Sequence, residues 1–278
     1  LREVLGDPLL VRDGRSLVLT ERARALVPAV QAALSAVQTV FEAPPTFDPL
    51  AARGEVRLAF GDDTQAAFAG PLIRAFDRVA PGLDLRFHPL GFQTVREGRR
   101  GTIDLAFSPD LSALPPSAGR VDLGDFVVRR LYDRRFVTLW SPDRPGPPPT
   151  TLARFAEARH VLVSQDGSAR GFVDDLLDAV GVVRRIGVTV PSLATAVHLV
   201  ATTDLVGTLP SELATIVAHP VVQAEPPVAI PPVPMLLVWH PRLGADPRHR
   251  FVREQVARTI LEAQSAADIP TRPVLPAQ

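Results

Sequence analysis

Apolar residues along this chain keep two rhythms that trade places several times. Short runs such as Glu55–Gly61 (EVRLAFG), His160–Ser164 (HVLVS) and Met235–Trp239 (MLLVW) read as strands. Leu83, Leu85 and Phe87 alternate with Asp84, Arg86 and His88, the mark of a strand with one wetter face. Between such runs, Leu72, Ile73, Phe76 and Val79, and later Phe172, Val173, Leu176, Leu177 and Val180, recur at helical spacing. Further strands are expected at Gly101–Phe107, Phe136–Trp140, Ile186–Ser192 and Leu205–Pro210. Further helices are expected at Leu193–Thr203, at Ser211–Ala218 with Ser211 as cap, and at Asp246–Ala263, which Asp246 caps with Pro247 in its first turn. Two successive runs of strand and helix predict an α/β chain, with parallel sheets, two lobes and a cleft between them.

The first forty residues keep a different pattern. Leu9-Leu10-Val11 and Leu17-Val18-Leu19 flank RDGR, and Asp13-Gly14 is a hairpin turn signal. Arg12 and Arg15 then project together from the tip, either as an ordinary solvated turn or as an arm lying along a DNA backbone. Thr20 is a good N-cap with Glu21 in the first turn, and a helix runs to about Glu42. Its stripe, Leu26, Val30, Leu34, Val37 and Phe41, has no following helix at short range to cover it, so pairing with a second copy is expected. Pro28 removes one helical hydrogen bond. Only Leu1–Val4 precede the hairpin, which would be marginal alone; residues 1–19 therefore read as the remnant of a larger unit. The proline-rich stretch 44–54 is a hinge.

Composition narrows the class. The 278 residues are 46% hydrophobic and 22% charged, which suits a globular chain with sizeable cores. Formal net charge is zero, so the overall field does not advertise nucleic acid or membrane. Lysine is absent, so every basic side chain is Arg or His. Cysteine is absent too, which excludes disulfides and thiolate metal sites. No run of ~18 apolar residues supports a membrane span.

Three strand ends lead into helices through small polar residues: Asp62-Asp63-Thr64, Ser164–Ser168 and Pro191-Ser192. Each is either a plain cap or part of a ligand site at the carboxyl edge of an open sheet.

Together these residues resemble a LysR-type transcriptional regulator. LREVLGDPLLVRDGRSLVLTERARAL is similar to the end of that family's recognition helix, its wing and the start of its linker helix. APGLDLRF, REGRRGTIDLAF, HVLVSQDGSARGFVDDLLDAVGVVRR, VPSL, TTDLVGTLP and WHPRLGADPRHRFVRE resemble its effector domain, in the branch of aromatic-catabolism and nodulation regulators. The resemblance implies a type 2 periplasmic-binding-protein fold, with residues 1–19 as wing and 20–43 as linker and dimerisation helix. It also implies a first lobe at 55–137 plus 240–265, a second at 138–239 and a tail at 266–278. A small effector, aromatic or carboxylate-bearing, would sit between the lobes, near Asp62, Asp63, Thr64, Phe107, Ser108, Gly167, Ser168, Arg170 and Ser192. In the aromatic-responsive branch a His commonly stands where Arg170 and Ser192 stand here. Implied partners are promoter DNA and one or three further copies, in the cytoplasm, with no cofactor or metal. Wing residues without the base-reading helices would hold DNA weakly and without sequence preference.

Two rivals differ in kind. An enzyme would need a constellation the chain does not spell: His88, His160, His198, His219, His240 and His249 are scattered, and no HExxH, G-x-S-x-G or glycine-rich phosphate loop occurs. A transporter's solute receptor would share the two-lobed fold, but has no use for the hairpin and the long apolar-striped helix.

Overall fold

The computed structural model describes residues 1–41, 47–91, 93–119 and 122–267. The chain divides into two compact units, 1–46 and 47–278.

The first unit opens with a single turn, α1 (Arg2–Leu5), ended by Gly6 in the left-handed region. Strands β1 (Leu10–Asp13) and β2 (Ser16–Leu19) pair antiparallel, Asp13 opposite Ser16, so Gly14 (φ +63°) and Arg15 form the tip. The helix α2 (Glu21–Phe41) follows and passes through Pro28. Thr20 caps it as expected, its Oγ1 accepting from the Ala23 N–H at 3.0 Å. That hydroxyl also donates to Asp7 Oδ1 at 2.7 Å, and Asp7 accepts from the Leu9 N–H. This clasp holds Leu9 at φ +64°, a conformation that disfavours a branched side chain. Along α2 the stripe faces solvent: Val30, Leu34 and Val37 are each more than half exposed, and Leu26 is half-buried. The Phe41 side chain lies outside the described residues.

The second unit has two lobes, each built on a five-stranded sheet. In the first, β3 (Gly54–Phe60), α3 (Asp62–Val79), β4 (Leu83–Pro89), α4 (Thr94–Arg100) and β5 (Leu105–Pro109) follow in turn, and β6 (Val127–Arg134) closes the segment. The chain then crosses at Arg135 into β7 (Phe136–Trp140), α5 (Leu152–Glu157), β8 (Arg159–Val163), α6 (Phe172–Asp178), β9 (Arg185–Val190), α7 (Leu193–Thr202), β10 (Val206–Pro210) and β11 (Val222–Ala224). It returns for β12 (Val233–Trp239) and α8 (Pro247–Ala267). Sheet orders are β4-β3-β5-β12-β6 and β11-β7-β10-β8-β9.

Each sheet is parallel where βα crossovers built it, and antiparallel where the lobe-crossing segments join. This corrects the expected lobe boundaries. β12 lies between β5 and β6, with Val233, Met235 and Leu237 wholly buried in the first lobe's core, so the return crossing falls before Val233 and not at 239. Phe136 and Val137 belong to the second lobe's sheet. The cores are separate: Phe60, Phe68, Phe76, Phe107 and Ile260 fill one, and Leu139, Val161, Val197 and Leu213 the other.

Two local expectations also change. Arg99 and Arg100 end a helix that Gly101 (φ +82°) terminates, so the following strand starts at Leu105 and not at Gly101. Ser211 opens only a short 3-10 turn, Ser211–Thr215; its N–H donates to Arg135 O while Glu212 turns inward.

Candidate functional site

The carboxyl end of β3 meets the start of α7 across the lobes, and the nine expected effector contacts fall into three separate groups. Asp62 and Ser192 meet. Ser192 caps α7, accepting from the Thr195 N–H at 3.0 Å, and its hydroxyl proton goes to Asp62 Oδ2 at 2.6 Å. The same oxygen accepts the Ala194 N–H at 3.0 Å. A first-lobe carboxylate thus occupies the positive end of a second-lobe helix, which stabilises contact between the lobes.

Asp63 turns the other way. It is buried and forms an ion pair with Arg134, 2.8 Å from Nη1, while Arg134 Nε donates to Glu212 Oε1 at 2.6 Å. Arg134 ends β6 at the crossing, so one guanidinium holds a carboxylate from each lobe. Burial by itself would lower the Arg134 pKa; Glu212 and Asp63 more than offset this and hold it above its ordinary value. The Tyr132 hydroxyl donates to Glu212 at 3.3 Å, and burial, then the Glu212 charge, raise its pKa. Thr64 is buried and donates to Gly61 O. Phe107 is wholly buried against Phe60 and Phe68 in the first core. Ser108 lines an apolar void of about 30 Å³ and another cavity of that lobe. The void would admit about one water, so it is no effector site. Asp63, Thr64 and Phe107 are thereby engaged in holding the fold.

Ser168 and Arg170 of the third group line a cavity of about 700 Å³, and Gly167 sits in the loop beside them. Val161, Val163, Leu193 and the edge-to-face pair Phe136 and Phe172 give it apolar walls; Ser164, Ser168 and Thr208 supply hydroxyls. Thr208 Oγ1 is buried without a hydrogen-bond partner. Asp166 shapes the loop, accepting from Ser164 Oγ at 2.8 Å and the Ser168 N–H at 2.9 Å, which lowers its pKa, the backbone bond contributing most. Gly167 makes the turn at φ +78°. Gln165 ties the loop to Pro191 O. Arg170 is already engaged with Asp175 and Asp178 of α6, whose hydrogen bonds raise its pKa. Ser117, from a first-lobe turn at the cavity rim, donates to Asp175. Phe136, Thr208 and Ser117 were not expected at the site. The Ser164–Ser168 segment did carry a signal: a short polar loop after a strand.

Arg12 and Arg15 are exposed on the hairpin of the other unit. Among the described residues no three His, Asp or Glu side chains converge on a metal position, and no helix is long and apolar enough to cross a membrane.

The LysR substrate binding domain model matches residues 51–260, most of the chain. The chain belongs to the LysR family. It is 31% identical to the transcriptional regulator SyrM of Rhizobium meliloti over 92% of this chain and 77% of that protein. It is 29% identical to the transcriptional activator NagR of a Ralstonia species over 95% of this chain and 86% of that one. A solved structure of the probable transcriptional regulator PA0477 from Pseudomonas aeruginosa superposes with TM-score 0.63 at 27% identity, over 92% of this chain and 83% of that one. LysR-family regulators bind promoter DNA and small effectors and act as oligomers. The protein is thus a transcriptional regulator and not a transporter's receptor; its relatives are regulators and not enzymes.

Proposed function

We propose that this regulator senses a small amphipathic molecule with an aromatic-sized apolar body, held in the cavity between Phe136, Phe172 and the Ser164–Ser168 loop. The observation that carries this reading is the cavity itself. It has about 700 Å³, within the range of small-molecule sites, and sets apolar walls against a polar loop and rim. First-lobe residues Ser117–Gly119 form part of its rim, so occupancy would bias how the lobes close. The Asp62–Ser192 bond and the Asp63–Arg134–Glu212 bridge lie where closure acts. Thr208 Oγ1 is the free buried group that selects a hydroxyl or carbonyl on the ligand. A carboxylate would have to displace Asp175 or Asp178 from Arg170, so Arg170 orients the rim and does not serve as the main anchor.

In this reading the stripe of Leu26, Val30, Leu34 and Val37, continued by Phe41, pairs with a second copy. Arg12 and Arg15 lie against phosphates beside the bound promoter, in the cytoplasm. The protein performs no catalysis.

Titrating the full chain with benzamide and benzoate, followed by two-dimensional NMR, tests the pocket. Expected are shifts at Ser164–Gly171 and Leu193, stronger for the neutral amide and abolished by Ser168→Trp, which fills the cavity. Shifts confined to the void around Ile103, or unaffected by Ser168→Trp, would overturn the assignment.

A further inference from the structure

The edge of the first lobe's sheet opposite that cleft carries a second polar cavity, of about 510 Å³. It opens where β3 begins, α4 ends and α8 begins. Four arginines line it, Arg57, Arg100, Arg242 and Arg248, against two carboxylates, Asp104 and Asp246. In a chain of zero net charge, that is a local excess of positive charge.

Hydrogen bonding decides how much of the excess is available. Asp104 is taken up by Arg57, accepting its backbone N–H at 2.9 Å, Nε at 3.3 Å and Nη2 at 3.2 Å. Asp246 accepts the Arg248 backbone N–H at 2.9 Å and so caps α8. Arg57 thus offsets Asp104, while Asp246 keeps its charge as it caps α8, so Arg100, Arg242 and Arg248 still outnumber it. Arg242 and Arg248 are held differently, by neutral carbonyls. Arg242 donates to Arg99 O at 2.7 Å and to Gly98 O at 2.9 Å, and Arg248 Nη2 donates to Glu55 O at 2.8 Å. A carbonyl fixes a guanidinium in space without cancelling its charge. Arg248 Nε is buried with no hydrogen-bond partner. Arg242 lies directly over Gly101, where a Cβ would stand 2.9 Å from Nη2. Arg100 is exposed and carries no ion pair among the described residues.

We infer that this cavity binds a small, multiply charged oxyanion: a phosphate or diphosphate group, free or carried on a metabolite. Guanidinium forks match phosphate oxygens, and here two of them are ordered before any ligand arrives. The site stands at the amino ends of the strands, away from the effector cavity, and does not depend on the reading of that cavity. It adjoins Gly54, whose Cβ position lies 3.7 Å from Arg248 Nη2. A bound anion would tie the starts of β3 and α8 to the end of α4 and so stabilise the first lobe against unfolding.

Calorimetric titration of the full chain with pyrophosphate, at fixed ionic strength, tests the site. Expected are saturable binding of one ion per chain, a parallel rise in Tm, and affinity at least tenfold weaker in Arg248→Gln. Arg100→Gln, at an exposed position, keeps the fold and weakens binding severalfold. Arg86→Gln, an exposed arginine on β4, leaves it unchanged. A monophosphate ester in place of pyrophosphate distinguishes a carried group from the free ion. Absence of saturation up to about 10 mM, equal affinity in Arg100→Gln and Arg248→Gln, or the same Tm rise from matched sodium chloride would overturn the inference. Tighter binding of a short DNA duplex through the same arginines would overturn it as well.

Discussion

Helices α2 and α8 have the same length, 21 residues, and both carry an apolar stripe, yet they meet opposite fates. In α8, Val252, Val256, Ala257 and Ile260 are almost wholly inaccessible and complete the first lobe's core. In α2, Val30, Leu34 and Val37 stay more than half exposed, and only Ala23 among its described residues is buried. Their polar faces differ in the same sense. α8 carries Arg250, Glu254, Arg258 and Glu262 on its exposed side, whereas α2 has no charged residue after Arg24. Periodicity says that a stripe exists. A surround without charge is what the proposed pairing with a second copy would need.

The largest expected effect that would sharpen this contrast is on association. Leu34→Glu places two charges in a paired stripe and should weaken the dimer by about 3–6 kcal/mol, more than a hundredfold in Kd. Sedimentation equilibrium checks it; an unchanged mass distribution would overturn pairing through this stripe. Next, Ile260→Ala should lower the unfolding free energy of the lobed unit by about 2–5 kcal/mol, independent of protein concentration. Urea unfolding at two concentrations separates it from the first case.

Acidification provides a comparable effect on the lobed unit alone. His160 is buried, with Nε2–H donating to Phe155 O at 2.7 Å, and burial pushes its pKa down to about 4. Burial also lowers the pKa of His249 on α8. Its Nδ1 accepts from Arg253, so its Nε2–H donates to Asp104 O. The folded rings are neutral at pH 7, and the unfolded ones mostly so. Below about pH 6.5 the unfolded chain takes up protons that the folded rings refuse, so stability falls as pH drops. His160 alone should cost about 3 kcal/mol by pH 4. Denaturation midpoints between pH 7 and 4 should flatten in His160→Gln, while self-association through α2, which has no histidine, should not follow that slope. The smallest effect is at the start of α2. Thr20→Ala removes the cap and its bond to Asp7, and should cost about 1 kcal/mol in the first unit, read by amide exchange at Ala23.

Much of the site was legible as location and little of it as role. Strand ends followed by small polar residues marked the cleft, because helix starts need side-chain acceptors wherever strands stop. Whether each acceptor is free for a ligand depends on residues far away in sequence. Asp62 and Ser192 both drew notice as contacts, but only their meeting shows that they hold each other. Arg170 was expected against the effector, but Asp175 and Asp178 already hold it. β6 went unread because Arg129, Arg130, Asp133 and Arg134 break its apolar alternation. It is an edge strand, and Arg134 is charged because it serves both lobes at the crossing.

By itself the sequence determined the periods, the turns and the caps: the Gly14 tip, the Thr20 cap, the βα alternation and the unpartnered stripe of α2. These depend on interactions within a few residues, which local pattern records. Tertiary structure alone decided which sheet receives β12, where the crossings fall, and which charges cancel. Pairing between distant strands, and between carboxylates and guanidinium groups from different lobes, depends on distances in space that no run of neighbouring residues encodes.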